Sequence, residues 1–391
     1  MRLKRLCLEQ VGPIQRADLK LGDLTVLVGG QATGKTIFLQ FLKLILDVGA
    51  IHSQLLKYGF DWENNRNRFL EIYLGEGLHT IWSANSLLRE NGRRIDLDTY
   101  VRKHRRSEKQ TVFYIPAQRV LSLVEGWPRP FQSFTSSDPF VVKEFSEQIR
   151  ILLDKEFRIG SKHSRILFPQ SQRLKQPYRE LLQKHLFRDF QLRFDQQGGR
   201  LRLVLANSQT RIPFLAWSAG QREFIPLLCG LYWLLPPSRV STRNDLEWVI
   251  LEEPEMGLHP SAISVVLLMV FELLSRGYKI CLSTHSPHVL DVLWAIRIFK
   301  IHNASPQKVL DIFGCKKTDS TWKVANQILK KEIRVYYFEP QTEDGKIEAQ
   351  DISNLDPSAP HKREAGWGGL TEFSGHIAEV VAKVITAHSR A

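Results

Sequence analysis

Eight consecutive residues near the N-terminus have the spacing of a phosphate-binding loop. Four residues separate Gly29 from Gly34, and Lys35 and Thr36 follow directly. In such a loop the backbone N–H groups cradle the β- and γ-phosphates, the lysine places a positive charge on the same oxygens, and the threonine hydroxyl binds Mg²⁺. The sequence therefore predicts an ATP and Mg²⁺ site in which Lys35 is also catalytic. The residues expected to bind the nucleotide are Gly29, Gly30, Gln31, Ala32, Thr33, Gly34, Lys35 and Thr36.

An apolar run that ends in two carboxylates, at residues 249–253, has the composition expected of a matching acidic strand. Two adjacent carboxylates at the end of an apolar strand are costly unless a cation lies beside them. We expect Glu252 to hold the magnesium shell, through water, and Glu253 to polarise the attacking water as general base. An acidic turn on the surface is the alternative interpretation.

A serine-led segment, Ser218-Ala219-Gly220-Gln221, precedes a long apolar helix. A serine and free backbone amides at the start of a helix form an anion site. Since the chain already has one phosphate cradle, we expect Ser218, Ala219, Gly220 and Gln221 to serve a nucleotide held by another copy of the chain. The alternative is an ordinary N-cap, in which Ser218 satisfies only the first backbone amides of its helix.

Two further strand ends carry polar side chains suited to the same site. His285 follows an apolar strand, where an imidazole beside the γ-phosphate can sense it and stabilise the transferred charge. A structural histidine is the alternative. Gln118 and Arg119 follow another strand. We expect Gln118 to contact Mg²⁺ or the attacking water, and Arg119 to meet phosphate.

The elements predicted around these residues alternate between strands and helices. The phosphate loop lies between a strand at 18–28 and a helix at 37–48, and apolar strands at 248–251 and 279–283 lead to the acidic and histidine segments. Such alternation favours an α/β sheet covered by helices. The other predicted elements are strands at 3–11, within 67–82 and 93–115, and at 334–338, helices within 140–190 and at 224–235, 261–275, 288–294 and 371–387, and a hairpin of 190–194 and 200–206 with its turn at 198–199.

The chain is basic, with a formal net charge of +13. That balance favours nucleic acid or an acidic protein as a partner. Residues 139–190 hold eleven Lys and Arg against six Asp and Glu, and the region is too long to be a connection. We therefore predict a basic, mostly helical inserted lobe at 125–200, between an N-terminal ATPase lobe at 1–124 and a C-terminal ATPase lobe at 201–391.

Membrane and secretion signals are not expected in this sequence. No run reaches the roughly 18 uncharged apolar residues of a membrane span, and the N-terminus lacks the apolar run of a signal peptide. Cys7, Cys229, Cys281 and Cys315 are scattered without metal-ligand spacing. They are expected to be buried free thiols in a reducing compartment, which predicts a cytoplasmic protein without a membrane partner.

Taken together, these segments resemble the ABC-type ATPase heads of the RecF, SMC and OLD group. The resemblance covers about residues 1–48, 112–119 and 213–300, and it is looser elsewhere. It is carried by the N-terminal order of strand, Gly-Pro-Ile, strand and phosphate loop, by Glu252-Glu253-Pro254-Glu255 with Leu258-His259-Pro260, and by Thr284-His285-Ser286-Pro287.

In that group two heads sandwich two ATP molecules, so the resemblance implies an ATP-bound dimer or a larger homo-oligomer. It implies that Ser218 and Gly220 contact the γ-phosphate held by the partner copy, that Glu253 is the base, and that His285 is the switch histidine. Ala219 replaces a usual glycine and Glu252 a usual aspartate, and both departures are compatible with slower turnover.

The resemblance also suggests a biological setting. OLD proteins carry a Toprim nuclease after the head, whereas the tail here is short and has no clustered acidic metal site, so nuclease activity is not expected in this chain. Short heads of this kind also resemble the ATPase subunits of bacterial anti-phage systems of the PARIS and Septu types. In those systems the ATPase pairs with a separately encoded effector nuclease, such as a Toprim or HNH protein.

Three functions follow from these patterns. The first is an ATP-dependent sensor or scaffold that holds or releases an effector nuclease in anti-phage defence. The second is a RecF-like maintenance ATPase that binds DNA through the basic lobe. The third, the ATPase half of a transporter, is disfavoured because no membrane segment is expected and the basic insertion is unlike the short helical lobe of those subunits.

Overall fold

The computed structural model describes residues 3–102, 107, 109–157, 166–197, 200–236, 242–243, 245–341 and 345–357, together with 359, 365–367, 369–370, 377 and 381. The predicted turn at 198–199 and most of the predicted helix at 371–387 lie outside these residues.

The strands of the described chain form one large sheet, one smaller sheet and a short two-stranded pair. In chain order they are β1 Arg5–Val11, β2 Ile14–Lys20, β3 Leu24–Gly29, β4 Trp82–Glu90, β5 Arg93–Ile95, β6 Val112–Ile115, β7 Leu123–Val124, β8 Trp127–Pro128, β9 Ile166–Phe168, β10 Gln191–Gln197, β11 Arg200–Ala206, β12 Arg211–Pro213, β13 Trp248–Glu252, β14 Lys279–Thr284, β15 Ile333–Pro340 and β16 Ile347–Asp351.

The helices cover the large sheet and build part of the inserted lobe. In chain order they are α1 Lys35–Lys57, α2 Arg66–Leu74, α3 Leu97–Arg102, α4 Phe140–Glu156, α5 Gln176–Leu182, α6 Ala219–Leu234, α7 Pro260–Ser275, α8 Pro287–Ile301, α9 Pro306–Ile312 and α10 Asp319–Ile328.

The large sheet has ten strands in the order β5-β4-β1-β2-β16-β15-β3-β14-β13-β6. The strands β15, β3, β14, β13 and β6 run parallel to one another, whereas β5, β4, β1 and β2 form an antiparallel wing. The predicted α/β fold class is confirmed. Because the four parallel strands β3, β14, β13 and β6 are adjacent, their carboxyl ends meet at one edge, where ligands bind in such sheets.

The central strands are buried on both faces. Every residue of β3 and of β13 is buried. Val249 and Leu251 belong to one apolar core together with α6 and α7, while Trp248 and Ile250 belong to a second core together with α1. This double cover explains why the strands read as continuous apolar runs rather than alternating ones.

An ion-pair network inside the fold ties α1 to β6 and α4. The Nζ atom of Lys43 lies 2.9 Å from Oδ2 of Asp47 and 3.0 Å from Oε2 of Glu144, and all three side chains are at most 1% exposed. Asp47 leaves helical geometry, with φ −126°, and accepts the N–H groups of Thr111 and Val112 at the start of β6. The helix that follows the phosphate loop is thereby fixed to a neighbouring strand of the sheet.

The segment predicted as an inserted lobe contains α4, α5, a π-helical turn at Gln183–Phe187 and two strands of the smaller sheet, which has the order β12-β11-β10-β9. The predicted hairpin corresponds to β10 and β11. α4 contributes Phe145, Ile149 and Leu152 to the same core as β13 and α6. This segment thus packs onto the large sheet rather than standing apart from it.

Two element predictions are wrong. Residues 67–82 were expected to be strand, but α2 occupies much of them, because Asn65 caps the helix by accepting the N–H of Arg68 at 3.2 Å and one face of the helix is buried. The predicted strand at 18–28 is two strands. Gly22 interrupts it in a turn, where the backbone N–H of Gly22 donates to the Thr25 hydroxyl at 3.1 Å.

α1 is long and apolar enough, by length and composition, to cross a membrane, and it is the one such helix among the described residues. It lies in the core, with 72% of its most apolar 18-residue window buried. The four cysteines are free and buried, as expected.

Candidate active site

A cavity of about 800 Å³ opens at the carboxyl ends of the parallel strands. The loop between β3 and α1 forms one side, and Gln118, Glu253 and His285 lie on the others. The structure therefore brings together residues that the sequence separates by up to about 250 positions. This is the edge at which open α/β sheets bind their ligands.

The loop between β3 and α1 has the backbone of a phosphate cradle. Gly34 has φ +88°, and a Cβ atom there would lie 2.6 Å from Cγ1 of Ile14. Only glycine fits that position without strain. α1 begins at the next residue, so its free N-terminal amides face the cavity beside the loop, which favours an anion.

Lys35 is folded back onto this loop. Its Nζ atom donates to the carbonyl oxygens of Gly29 at 2.9 Å and Gly30 at 2.6 Å, and it lies 3.3 Å from the hydroxyl of Thr33. Burial lowers the pKa of Lys35 to about 8, against the opposing effect of nearby carboxylates, with Glu253 the largest. The nearby carboxylates offset the charge of this ammonium group only in part, and a bound phosphate would supply a direct anionic partner.

Glu252 is the residue that a divalent cation would fit best. Its side chain is 1% exposed, Oε2 accepts the N–H of Ala117 at 3.0 Å, and Oε1 has no hydrogen-bond partner among the described residues. Burial raises the pKa of Glu252, while the Thr36 hydroxyl, the Ala117 N–H and the Tyr114 hydroxyl favour its charged form. The two hydroxyls lie near the carboxylate without meeting the geometry of a hydrogen bond to Oε1. A buried, unpaired carboxylate oxygen beside the loop threonine is costly on its own and suits Mg²⁺ held through Thr36 and Glu252.

Glu253 and His285 are in contact at the wall of the cavity. Nε2 of His285 lies 3.1 Å from Oε1 of Glu253, and about 30% of each side chain is exposed. This contact holds the pKa of Glu253 below its usual range, so the carboxylate is ionised at neutral pH and able to accept a proton. Glu253 also has φ +42°, a backbone conformation that is strained for a residue with a side chain.

Glu255 positions the histidine segment. Its Oε1 accepts the Thr284 hydroxyl at 2.7 Å and the backbone N–H of His285 at 2.8 Å. The Thr284 hydroxyl in turn accepts the N–H of Ser286 at 3.0 Å. The carboxylate of the acidic segment thus fixes the turn at which β14 ends.

The two residues predicted after β6 differ in position. Gln118 is exposed and lines the cavity, so it stays a candidate for contact with metal or water. Arg119 is fully buried and donates to the backbone carbonyls of Glu223, Glu252 and Glu253 at 3.0, 3.1 and 3.1 Å. The expectation that Arg119 meets phosphate is wrong, because the side chain is 0% exposed and Nε, Nη1 and Nη2 all donate to backbone carbonyls within the protein.

The serine-led segment does not line this cavity. Ser218 and Ala219 are exposed at the start of α6, and the Ser218 side chain forms a capping box with Gln221. A Cβ atom at Gly220 would lie 2.7 Å from the carbonyl oxygen of Gly257, so close packing alone requires glycine there. The capping role is therefore present, and contact with a nucleotide of another copy remains a prediction.

Sequence reasoning missed one carboxylate and an apolar rim at this site. Glu223 on α6 lines the cavity, where burial raises its pKa. Leu121 and Leu78, also at the cavity, are 50% and 38% exposed. The helical spacing of Glu223 from Ser218 could have placed it one turn into α6, whereas nothing local marks the two leucines.

Part of the chain, including some of the residues at this site, is similar to a known protein family. Residues 125–291 match a family described as "AAA domain, putative AbiEii toxin, Type IV TA system". This match spans Ser218, Glu252, Glu253 and His285 but not the phosphate loop. No curated protein matches the chain.

Solved structures similar to the chain include two SMC heads. One is a crystal structure of an SMC head bound to the C-winged helix domain of ScpA, with 9% identity, 90% of this chain and 97% of that chain covered, and a TM-score of 0.42. The other is the SMC head domain from Thermotoga maritima, with 11% identity, 90% and 99% covered, and a TM-score of 0.34.

Proposed function

We propose that this chain is an ATPase whose site binds Mg²⁺-ATP at the β3–α1 loop. The observation that carries the proposal is the unpartnered Oε1 of Glu252, buried beside Thr36 at the start of α1. A carboxylate in that position needs a cation, and the adjoining loop is built to hold phosphate. Bound Mg²⁺ would neutralise the phosphate oxygens during transfer.

The protein groups divide the remaining work among them. Lys35 exchanges its loop carbonyls for phosphate oxygens when the nucleotide binds. Glu253 accepts the proton of the attacking water, and His285 holds the carboxylate in place by the 3.1 Å contact. Gln118, exposed at the cavity rim, orients the water or the metal shell.

Pairing of two copies would complete the site. Ser218 at the start of α6 is exposed and does not line the cavity of its own chain at the β3–α1 loop, and Leu215 just before it is 75% exposed. Leu78 and Leu121 expose apolar surface at the cavity rim. A second copy that placed its Ser218 segment over this rim would bury both apolar surfaces and add an anion site to the nucleotide.

The cellular role we propose is an ATP-dependent sensor or scaffold that controls a separate effector in anti-phage defence, with a nuclease as the expected effector and the cytoplasm as its location. The family matched by residues 125–291 is described as a toxin of a toxin–antitoxin system, and that description favours a toxic pair over a housekeeping role.

A RecF-like role on DNA is the second candidate, because the net charge of +13 favours a polyanion. Binding that neutralises phosphates weakens steeply with salt. DNA affinity and DNA-stimulated hydrolysis measured at low and moderate salt decide this candidate, and an affinity unchanged between the two would exclude it.

Two nucleotide states of the chain test the sensor proposal. Tagged Glu253→Gln protein, expected to retain ATP, and tagged Lys35→Ala protein, expected to be nucleotide-free, are purified from the native cell and their bound proteins compared. We expect one partner, with nuclease motifs, bound in one state and not in the other. Identical bound proteins, or none, in both states would contradict the effector role.

A further inference from the structure

The buried side chain of Arg119 forms hydrogen bonds that join three elements of the candidate site. Its Nε atom donates to the carbonyl oxygen of Glu223 in α6 at 3.0 Å. Its Nη1 and Nη2 atoms donate to the carbonyl oxygens of Glu252 and Glu253 at 3.1 Å each. Arg119 itself follows Gln118, so one guanidinium joins the rim residue, the acidic strand end and the helix that begins at Ser218.

The burial of this cation needs an explanation. Arg119 is 0% exposed, and burial lowers its pKa against the attraction of the surrounding carboxylates. A buried guanidinium is tolerated when its N–H groups are satisfied in a fixed geometry, and its planar fork suits several acceptors at once. A lysine at position 119 would have its donors on one atom, and could not reproduce the three separate directions in which Nε, Nη1 and Nη2 of Arg119 donate.

The backbone that Arg119 holds is strained. Glu253 has φ +42°, and such conformations persist only where the surroundings fix them. Its carbonyl is held by Arg119, and its N–H donates to the carbonyl of Ser283 at 3.0 Å. These two hydrogen bonds fix the backbone of Glu253, and the contact with His285 fixes its carboxylate.

α6 is packed against the acidic loop without spare room. A Cβ atom at Gly257 would lie 3.3 Å from Cγ of Glu223, and Gly257 has φ +71°. A Cβ atom at Gly220, in the first turn of α6, would lie 2.7 Å from the carbonyl oxygen of Gly257. A shift of the start of α6 would therefore move both the loop after Glu253 and the carbonyl that Arg119 binds.

We propose that Arg119 is a positioning residue that couples the helix beginning at Ser218 to the general base Glu253 of the same chain. Contact of a partner at the start of α6 then sets the direction of the base that cleaves the chain's own nucleotide. The inference rests on the proposed ATPase function and goes beyond it, since it assigns a route by which pairing controls hydrolysis.

The substitution Arg119→Lys tests this assignment, with Arg173→Lys as its matched control. Arg173 is also buried and donates to the carbonyls of Tyr232, in the last turn of α6, and of Leu235, the residue that follows this helix. We expect Arg119→Lys to lower kcat by roughly ten- to a hundredfold, as misplacement of a catalytic group does, with KM and nucleotide affinity within about threefold of wild type. Arg173→Lys should lower the melting temperature without changing kcat by more than about threefold.

A second pair of variants disturbs the same contact without touching Arg119. Gly257→Ala places a Cβ atom 3.3 Å from Cγ of Glu223, so that Glu223 on α6 or the acidic loop must shift by a few tenths of an ångström. Gly277→Ala also adds a side chain at a positive φ, but no atom lies within 4 Å of its Cβ. We expect Gly257→Ala to lower kcat relative to Gly277→Ala, with nucleotide affinity retained. This pair decides the question if Arg119→Lys does not fold.

The failures of the two proposals are distinguishable. Wild-type protein without any ATP hydrolysis would refute the ATPase function. An active wild type with normal kcat in Arg119→Lys, or in Gly257→Ala where the lysine variant does not fold, would overturn the coupling role and leave the ATPase function intact. A loss confined to nucleotide affinity would likewise overturn it.

Discussion

Neutralising the buried carboxylate of the metal site should stabilise the protein while it abolishes function. In the ligand-free chain Glu252 is 1% exposed and its Oε1 has no partner among the described residues. Glu252→Gln keeps an oxygen for the N–H of Ala117 and removes the buried charge. A buried unsatisfied acceptor costs about 1–3 kcal/mol, and more when charged. We therefore expect the free energy of unfolding of the variant to exceed that of wild type by about 1–3 kcal/mol.

The pH dependence gives this prediction a sign. Burial raises the pKa of Glu252 in the folded state above its unfolded value. The protonated form therefore contributes stability that is fully present below the ordinary carboxyl pKa, near 4.5, and is lost as the pH rises through the folded value. The advantage of Glu252→Gln should be absent in acid and should grow toward neutral pH.

Thermal unfolding with and without Mg²⁺-ATP is the assay. We expect the ligand-free Glu252→Gln protein to melt about 1–4 °C above wild type at neutral pH, given the unfolding entropy of a chain this long. Mg²⁺-ATP at a hundred times its Kd should stabilise wild type by about 2.7 kcal/mol and the variant much less. Glu253→Gln is the control, because that carboxylate already contacts His285 and its neutralisation should give no stabilisation.

Two results would refute the reasoning. A ligand-free Glu252→Gln protein less stable than wild type at neutral pH would show that the carboxylate is satisfied in the folded chain. Equal stabilisation of both proteins by Mg²⁺-ATP would show that Glu252 takes no part in holding the ion.

Three further predictions follow from the same structure. Glu253→Gln should lower hydrolysis by about 10²–10⁴-fold, the usual worth of a general base, while fluorescent-nucleotide titration shows retained binding, and near-normal hydrolysis would remove the base assignment. ATP binding at about pH 8.5 should take up protons, because phosphate raises the pKa of Lys35 from about 8, and calorimetry in buffers of different ionisation enthalpy should detect this uptake, with little at pH 7. Lys43→Met should cost about 3–5 kcal/mol in urea unfolding by leaving the carboxylates of Asp47 and Glu144 buried without their cation, and a loss under about 1 kcal/mol would contradict that role.

The parts of the fold that could be predicted from sequence are those with strong local signals. Strands such as β3 and β13 are continuous apolar runs, and the glycine spacing of the loop at Gly29–Gly34 specifies its backbone conformation. The antiparallel wing and the pairing of β16 with β15 could not be predicted, because they depend on contacts between segments far apart in sequence. The sequence of α2 reads as a strand because its few apolar residues fit the period of a strand as well as that of a helix.

The candidate site likewise contains residues that the sequence predicts and residues that it does not. Residues that the sequence predicts by type and spacing to contact phosphate, such as Lys35, lie at one cavity. Arg119 was placed at the right strand end with the wrong role, because nothing in the local sequence shows that its side chain turns inward. Glu223 carries no local sequence signal beyond its helical spacing from Ser218, since its carboxylate reaches the cavity only through the packing of α6.

Mixing two inactive variants tests most directly the claim that each copy completes the other's site. Lys35→Ala removes the phosphate contact of a chain's own loop, and Ser218→Arg blocks the exposed helix start offered to a partner. In a mixed dimer one of the two composite sites combines the intact loop of one chain with the intact Ser218 of the other. We predict that each variant alone is inactive and that an equal mixture recovers about a quarter of wild-type ATP hydrolysis, given random pairing of two copies. A mixture as inactive as its components would contradict a site shared between copies.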